Sequence, residues 1–446
     1  MFHIGEIMLI KFKTGNFRSF DEIQEFTMIC GSTRTHSEHI SDRNGVKVLK
    51  NAAMYGANAA GKTSFVQAID VSRRLVLLSP SVAGNGFRRM YCRTSAENET
   101  KDTYFEYLIE ISGTFYSYGF EIVLSTNRVS SEWLYLIDPA KESETRIFEK
   151  STDPNEGYVF GEMFKKEDLS RLRVYTSDLF ERNDALFLNE MSRKNFGNNA
   201  RLAVFHNVFN WFGTKLMVNS ISVPDKNAFA DAGNILNALD TDISQIKFRS
   251  ASAEEMQSID PITRGLAEAT LRTNMSVGGP NFFIGNDWTC FELVNNGRDV
   301  GVSKMYSEHN SSRSRFDILE ESSGTAQVLS LITMFTSQNE DVTYVQDEFG
   351  SRMHPMMAYR FIELFQKKNA DHTNQLIITT HHTCMMTLDL YRRDEIWFAE
   401  KKGGKTMIFS LEEFRERFDK KLDKAYLEGR YGALPVFDEL PSKVDQ

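Results

Sequence analysis

The chain has 446 residues, 41% of them hydrophobic and 25% charged, with a formal net charge of −9. That length builds one large domain or two to three ordinary ones, and the composition is that of a soluble globular protein. The acidic balance argues against a globally basic nucleic-acid coat, and the lack of any apolar run of about 18 residues argues against a bilayer span.

The N-terminus, "MFHIGEIMLIKF", lacks the basic start and small-residue cleavage site of a signal peptide. Cys30, Cys92, Cys290 and Cys384 stand far apart without metal-ligand spacing, so reduced thiols and a cytoplasmic location are expected. "VKVLKNAAMY" (46–55) predicts a buried strand, and "TSFVQAIDVSRRLVLL" (63–78) predicts a helix. Between them, "YGANAAGKTS" (55–64) fits G-x-x-x-x-G-K-[ST]. Such a loop exposes N–H groups, here along Gly56, Ala57, Asn58, Ala59, Ala60 and Gly61, and the helix start adds a favourable dipole for an anion. Lys62 reaches the terminal phosphates, Thr63 offers its hydroxyl to Mg²⁺, and Ser64 completes the cradle. A plain glycine-rich turn is the simpler alternative, but the strand–loop–helix order favours phosphate.

"TYFEYLIEISGTFYSYGFEIVLS" (103–125) alternates in the manner of antiparallel strands, which 130–150 continues. Residues 169–212 read as helices with Phe and Trp at core spacing, forming an inserted helical subdomain. The loop "SRKNFGNNAR" (192–201), around Arg193, is its most polar candidate surface for a partner. "DTD" (240–242) lacks an upstream glutamate in a strand setting, so a metal-nuclease reading finds little support.

In "ILEESSGTAQVLSLITMF" (318–335), Ser322, Ser323, Gly324 and Thr325 precede an apolar helix, where small hydroxyl residues ordinarily act as an N-cap. "VTYVQDEFGSRMHP" (342–355) reads as a strand ending in two carboxylates, with Gln346 where an apolar residue is usual. At the C-terminal end of a sheet strand, Asp347 suits a Mg²⁺ shell and Glu348 the deprotonation of water. A crossover helix (356–368) leads to "QLIITTHHTCMM" (375–386), a strand closing on His381, which can hydrogen-bond a γ-phosphate.

The order phosphate loop, Ser-Gly helix, DE strand and His strand resembles the ABC-type ATPases. More narrowly, the chain is similar to stand-alone ATPases of bacterial abortive-infection and anti-phage operons, the AbiLi/RloA-like proteins related to OLD, RecF and SMC heads. The carrying segments are "MLIKFKTGNFRSF" (8–20), "DEFGSRMHP" (347–355), "TTHHTCMM" (379–386), "RRDEIWFAEK" (392–401) and "AYLEGRYGALPVF" (425–437). The resemblance implies Arg18 near the nucleotide, and Ser322 and Gly324 touching ATP held by a second subunit. It departs at Ser323, where the family has glycine, and at Thr325, where it has Gln or Glu. Engagement strength and hydrolysis rate are the properties this departure touches.

The fold implied is α/β, an ABC-type P-loop NTPase head with an antiparallel β lobe and an inserted helical subdomain. Expected boundaries are 1–150 for the N-terminal ATPase lobe, 151–290 for the insertion and 291–446 for the C-terminal lobe. The implied function is an ATP- and Mg²⁺-dependent ATPase that dimerises or forms a larger homo-oligomer. It would sense or scaffold for a separate effector, a TOPRIM-type nuclease, under a phage-encoded trigger. A RecF-like repair ATPase that binds DNA is the alternative, and a self-contained nuclease finds no metal constellation.

Overall fold

Asn51–Tyr55, buried at all five positions, is an inner strand of a six-stranded sheet. The computed structural model describes residues 7–83, 86–150, 157–219, 232–257, 282–284, 291–295, 300–312, 314–336, 341–414 and 421–434. The sheet order is Leu216–Val218, Thr343–Gln346, Gln375–Thr379, Asn51–Tyr55, Ile396–Lys402 and Lys405–Ser410. The first five strands are parallel and the last is antiparallel to its neighbour. Strands buried on both faces in a parallel sheet read as continuous apolar runs, as "NAAMY" and "QLIIT" do.

The predicted strand over 46–55 is two strands. Val46–Leu49 pairs with Ile40–Arg43 in a hairpin, and the chain then changes sheets at Lys50. There Lys50 N–H donates to the His39 carbonyl while the Lys50 carbonyl accepts from Leu376 N–H. Residues on both sides of the switch are apolar, so the change leaves no mark in the hydrophobic pattern.

A seven-stranded antiparallel sheet follows the alternating aromatics. Its order is Tyr158–Phe160, Ser143–Lys150, Arg128–Asp138, Thr114–Val123, Thr103–Ile111, Ile7–Gly15 and Gln24–Thr27. The helix Lys62–Leu78 buries Phe65, Ile69 and Leu75 against it. Phe65 meets Phe12 and Phe26 at ring-centroid distances of 6.0 and 5.0 Å; each fully buried Phe contributes about 1.5–3 kcal/mol. Gln375 joins the two sheets. Its side-chain oxygen accepts from Leu9 N–H at 2.7 Å and the Thr343 hydroxyl at 2.9 Å, and its amide donates to Leu9 and Leu49 carbonyls at 2.8 and 3.0 Å. Leu9 borders a register shift in the Ile7–Gly15 strand, so a buried glutamine satisfies backbone groups that the bulge takes out of the ladder.

The mixed α/β fold with an antiparallel lobe is as expected, but the single helical insertion over 151–290 is not. The chain divides into two compact units, 1–219 with 341–349 and 371–446, and 220–340 with 350–370. Helices Lys166–Arg182, Phe187–Ser192 and Ala203–Asn210 belong to the first. Aromatics of these helices and of the helical turn Trp211–Lys215 close on the seven-stranded sheet: Phe187 lies 4.8 Å from Phe148 and Phe212 5.0 Å from Tyr107. The stripe is core, and it covers the sheet as well as packing helix on helix, with Phe187 5.4 Å from Phe205. The second unit holds an antiparallel sheet of Ile243–Ser250, Val300–His309, Phe291–Asn295 and Phe282–Ile284, with Arg315–Asp317 on Val300–His309. Period-two strands therefore occupy part of the stretch expected to be helical.

Cys30, Cys92 and Cys384 are free thiols, and Cys290 lies outside the described residues. Asp242, of the "DTD" stretch, accepts from Ser311 N–H at 3.2 Å and so holds a turn. Among the described residues no helix is long and apolar enough to cross a membrane.

Candidate nucleotide site

Three loops leave the C-terminal ends of adjacent parallel strands: the phosphate loop after Tyr55, the carboxylate pair after Gln346 and the histidine after Thr379. The histidine strand lies between the other two. A cleft of about 890 Å³ opens there, lined by Asn58 to Ser64 together with Arg18, Glu348 and His381. Arg93 and Lys401 add positive charge to its wall, and Ser19, Tyr91, Thr94, Gly403 and Gly404 complete it.

The loop is packed too closely for larger residues at its two glycines. A Cβ at Gly56 would strike the Ala399 carbonyl oxygen, and one at Gly61, which has φ +114°, would strike the Thr406 side chain. Thr406 braces the loop from behind, donating to the Ala60 carbonyl at 2.8 Å with its hydroxyl oxygen 2.8 Å from that of Ser19. Ser19 in turn donates to Ser64 at 3.1 Å. Ala57 N–H donates to the Ala433 carbonyl at 2.9 Å, so the "AYLEGRYGAL" segment, described as far as Leu434, reaches the phosphate loop.

Lys62 folds over this loop. Its ammonium donates to the Gly56 and Ala57 carbonyls at 2.7 and 2.9 Å. Burial pushes its pKa down to about 8, against the opposing pull of Asp347 and Glu348. Neutral carbonyls replace water poorly for a buried cation, and phosphate oxygens would serve it better. Thr63 stands exposed beside it, its hydroxyl available to a cation.

Arg18 reaches the cleft from a tight turn. Phe17 and Phe20, both fully buried, exchange backbone hydrogen bonds at 2.9 and 2.8 Å and leave Arg18 and Ser19 at the tip. Arg18 Nε is buried with no hydrogen-bond partner among the described residues. Desolvation and the nearby Arg93 both lower its pKa. An anion in the cleft would relieve the repulsion between the two guanidiniums.

Asp347 and Glu348 are pinned by groups outside their own strand. Asp347 N–H donates to Asn219 Oδ1 at 2.8 Å and Glu348 N–H to the Thr379 hydroxyl at 2.9 Å. That hydroxyl donates in turn to the Asp347 carboxylate. Glu348 takes φ +49°, an uncommon conformation for a non-glycine residue. His381 is exposed at the cleft. Desolvation and the charge of Lys62 hold its pKa below the usual 6.5, with Glu348 opposing, so its ring is neutral at pH 7.

Ser322 and Gly324 belong to the second unit. Ser322 caps the helix Ser323–Leu331, its hydroxyl accepting from Thr325 N–H at 3.1 Å. The Thr325 hydroxyl joins the cap at 2.8 Å from Ser322 Oγ. Gly324 is required by close packing, since a Cβ would lie 2.8 Å from the Arg352 carbonyl oxygen. Ser322 and Ser323 remain exposed, leaving the first turn of the helix open.

The sequence reading missed Thr379, Ser19, Thr406, Asn219, Arg93, Lys401 and Ala433. Ser19, Thr379, Lys401 and Ala433 lie within the segments that carry the family resemblance, which was the available signal. Arg93, Asn219 and Thr406 lie outside those segments and carry no local pattern.

A family model described as "AAA domain, putative AbiEii toxin, Type IV TA system" matches residues 52–384, well over half of the chain. No curated relative matches it. Similar solved structures include the SMC head domain from Thermotoga maritima, 14% identical over 90% of this chain and 98% of that one, with a TM-score of 0.38. An SmcHead bound to the C-winged helix domain of ScpA is 12% identical over 94% and 99% of the two chains, at 0.40. A Smc head with an extended coiled coil, bound to the C-terminal domain of ScpA and derived from Pyrococcus furiosus, is 12% identical over 95% and 99%, at 0.45.

Proposed function

The chain belongs to this AAA-domain family, and on that footing we propose that it is an Mg²⁺-dependent ATPase working at head-to-tail interfaces between copies of itself. Its setting in this reading is a cytoplasmic anti-phage abortive-infection system of the AbiLi/RloA kind. The ATPase senses or scaffolds, and a separate effector, a TOPRIM-type nuclease, delivers toxicity. The toxin–antitoxin terms of the family description support that setting. The observation that carries the ATPase reading is the convergence of Lys62, Glu348 and His381 on one cleft.

The chemistry follows from those side chains. Loop N–H groups and the dipole of the Lys62–Leu78 helix bind the phosphates. Lys62 exchanges its two loop carbonyls for phosphate oxygens. Arg18 and Arg93 accept the remaining negative charge. Thr63 and Asp347 hold Mg²⁺, which when bound offsets charge on the phosphates. Glu348 takes a proton from the attacking water. Neutral His381 donates a hydrogen bond to the γ-phosphate. The open Ser322 helix end of a second copy adds N–H groups to the same phosphate, so ATP favours the engaged dimer.

Complementation tests this. Ser323→Asp places a carboxylate on an exposed first turn, where it suits the helix dipole and leaves the subunit folded. Across an interface it repels the γ-phosphate. Alone, Ser323→Asp should bind ATP but turn it over poorly, and Lys62→Ala should not bind. Co-expressed, the pair forms one intact composite site, and ATPase activity should return above that of either mutant. No recovery from folded, co-assembled mutants sinks the trans arrangement; no ATPase activity in the unmodified protein sinks the reading as a whole.

A further inference from the structure

At the other end of the phosphate-loop strand, His36, Glu38 and His39 bring one possible ligand atom each within 4.8 Å of one another. Asn51, the first residue of that strand, donates to Glu395 Oε1 at 3.3 Å. The same carboxylate meets His39 Nδ1 at 3.0 and 3.1 Å. Five strand residues rise about 16 Å, so the cluster is well apart from the phosphate loop.

The hydrogen-bond partners assign the ring protons. His36 Nε2 lies 2.8 Å from the Leu388 carbonyl oxygen, which only accepts, so Nε2 carries the proton and Nδ1 a lone pair. His39 Nδ1 faces the Glu395 carboxylate, so the proton sits there and Nε2 carries the lone pair. Glu38 Oε1, another acceptor, is 3.1 Å from His36 Nδ1 and 4.0 Å from His39 Nε2. With both rings neutral, three lone-pair atoms converge with no proton between them. Either a second proton on an imidazole or a cation among the three removes that conflict.

We propose that His36, Glu38 and His39 bind a divalent transition-metal ion of the zinc class. Two imidazoles and one carboxylate suit zinc and its neighbours far better than Mg²⁺ or Ca²⁺, which prefer oxygen. The outer contacts are those that metal-bound histidines use: a backbone carbonyl on His36 and a buried carboxylate on His39. His39 is only 4% exposed and Glu395 not at all, which fixes one ligand firmly. Glu38 at 52% and His36 at 23% leave the ion a way in. The two rings stack at 4.8 Å, so binding turns the more exposed His36 ring to aim Nδ1 at the ion, with water at the open position. The ion would fix the turn 36–39 before Ile40–Arg43, which the His39–Glu395 contact ties to the start of the phosphate-loop strand.

The test is calorimetric titration of chelator-stripped, full-chain protein with ZnCl₂ in excess Mg²⁺. One equivalent should bind, with a rise in Tm, and Co²⁺ in its place should give the visible absorption of a low-coordinate nitrogen–oxygen site. Removing buried His39 risks the fold, so the variants are His36→Asn, at a half-buried position, and Glu38→Gln, at an exposed one. Each should weaken zinc binding at least about tenfold and abolish the Tm rise, while ATP affinity, which belongs to the distant cleft, stays unchanged. Absence of stoichiometric zinc binding in the unmodified protein overturns the proposal, as does undiminished binding by His36→Asn.

Discussion

The Thr379 hydroxyl accepts the backbone N–H of Glu348 at 2.9 Å and so holds the proposed base of the site. Glu348 sits in the left-handed region at φ +49°, a conformation that costs on the order of 1–3 kcal/mol and persists only when its surroundings enforce it. Thr379→Val keeps the shape and removes the hydroxyl. Turnover at saturating ATP should fall about 10- to 100-fold, as small misplacements of a catalytic group do, with ATP affinity nearly unchanged. Normal turnover would mean that Thr379 is dispensable for placing Glu348.

Lys62 and Glu348 should separate binding from chemistry. Lys62→Ala leaves the loop without its ammonium and should abolish measurable ATP binding. Glu348→Gln should bind ATP normally and hydrolyse it 10²- to 10⁴-fold more slowly, the usual worth of a general base. Equilibrium binding of a fluorescent ATP analogue, paired with phosphate release, reads both.

The pH dependence of ATP affinity should report Lys62. Burial sets its pKa near 8 in the free protein, and a bound phosphate raises it. Binding then takes up a proton above that pH. Affinity should be flat from pH 7 to 7.5 and weaken above about 8, by up to tenfold per pH unit. Titration in buffers of different ionisation enthalpy should show the proton uptake; its absence at pH 9 would mean that Lys62 stays charged in the free protein.

Glu132 gives the fold its own pH signature. It is fully buried and accepts from Phe187 and Leu188 N–H groups at 2.6 and 3.0 Å and from the Tyr118 hydroxyl at 3.0 Å. Burial outweighs these donors and raises its pKa to about 7. A carboxyl raised in the folded state contributes stability below its unfolded pKa, and that contribution is lost as pH rises through about 7. Glu132→Gln does not ionise, so its Tm relative to the unmodified protein should improve between pH 5 and pH 8. A constant difference would mean that burial does not raise the Glu132 pKa above its unfolded value.

What the sequence made legible is what short spacing encodes. The phosphate loop spans ten residues, its helix begins at Lys62 as the motif requires, and strands ending before Asp347 and His381 follow from apolar runs bounded by polar residues. Thr379, Thr406 and Asn219 were not legible, because a hydroxyl or amide that serves a distant loop looks like any other. The aromatics of 169–212 announced buried helical faces but not their partner. Amphipathic spacing specifies how much surface must be covered and leaves open whether a helix or a sheet covers it. Lys50 hid a change of sheets for a similar reason, since both flanking strands are equally apolar.

The bond from Ala57 to the Ala433 carbonyl sets an order on synthesis. When the ribosome has made the phosphate loop, the residues that brace it, oppose it and close on it are still unmade: Glu348, His381, Thr406 and Ala433 all come later. Contacts this remote in sequence form late, after long loops have closed. A nascent chain therefore carries the loop motif without the walls that surround it in the folded protein, and nucleotide can favour the fold only once the residues up to Ala433 have been made.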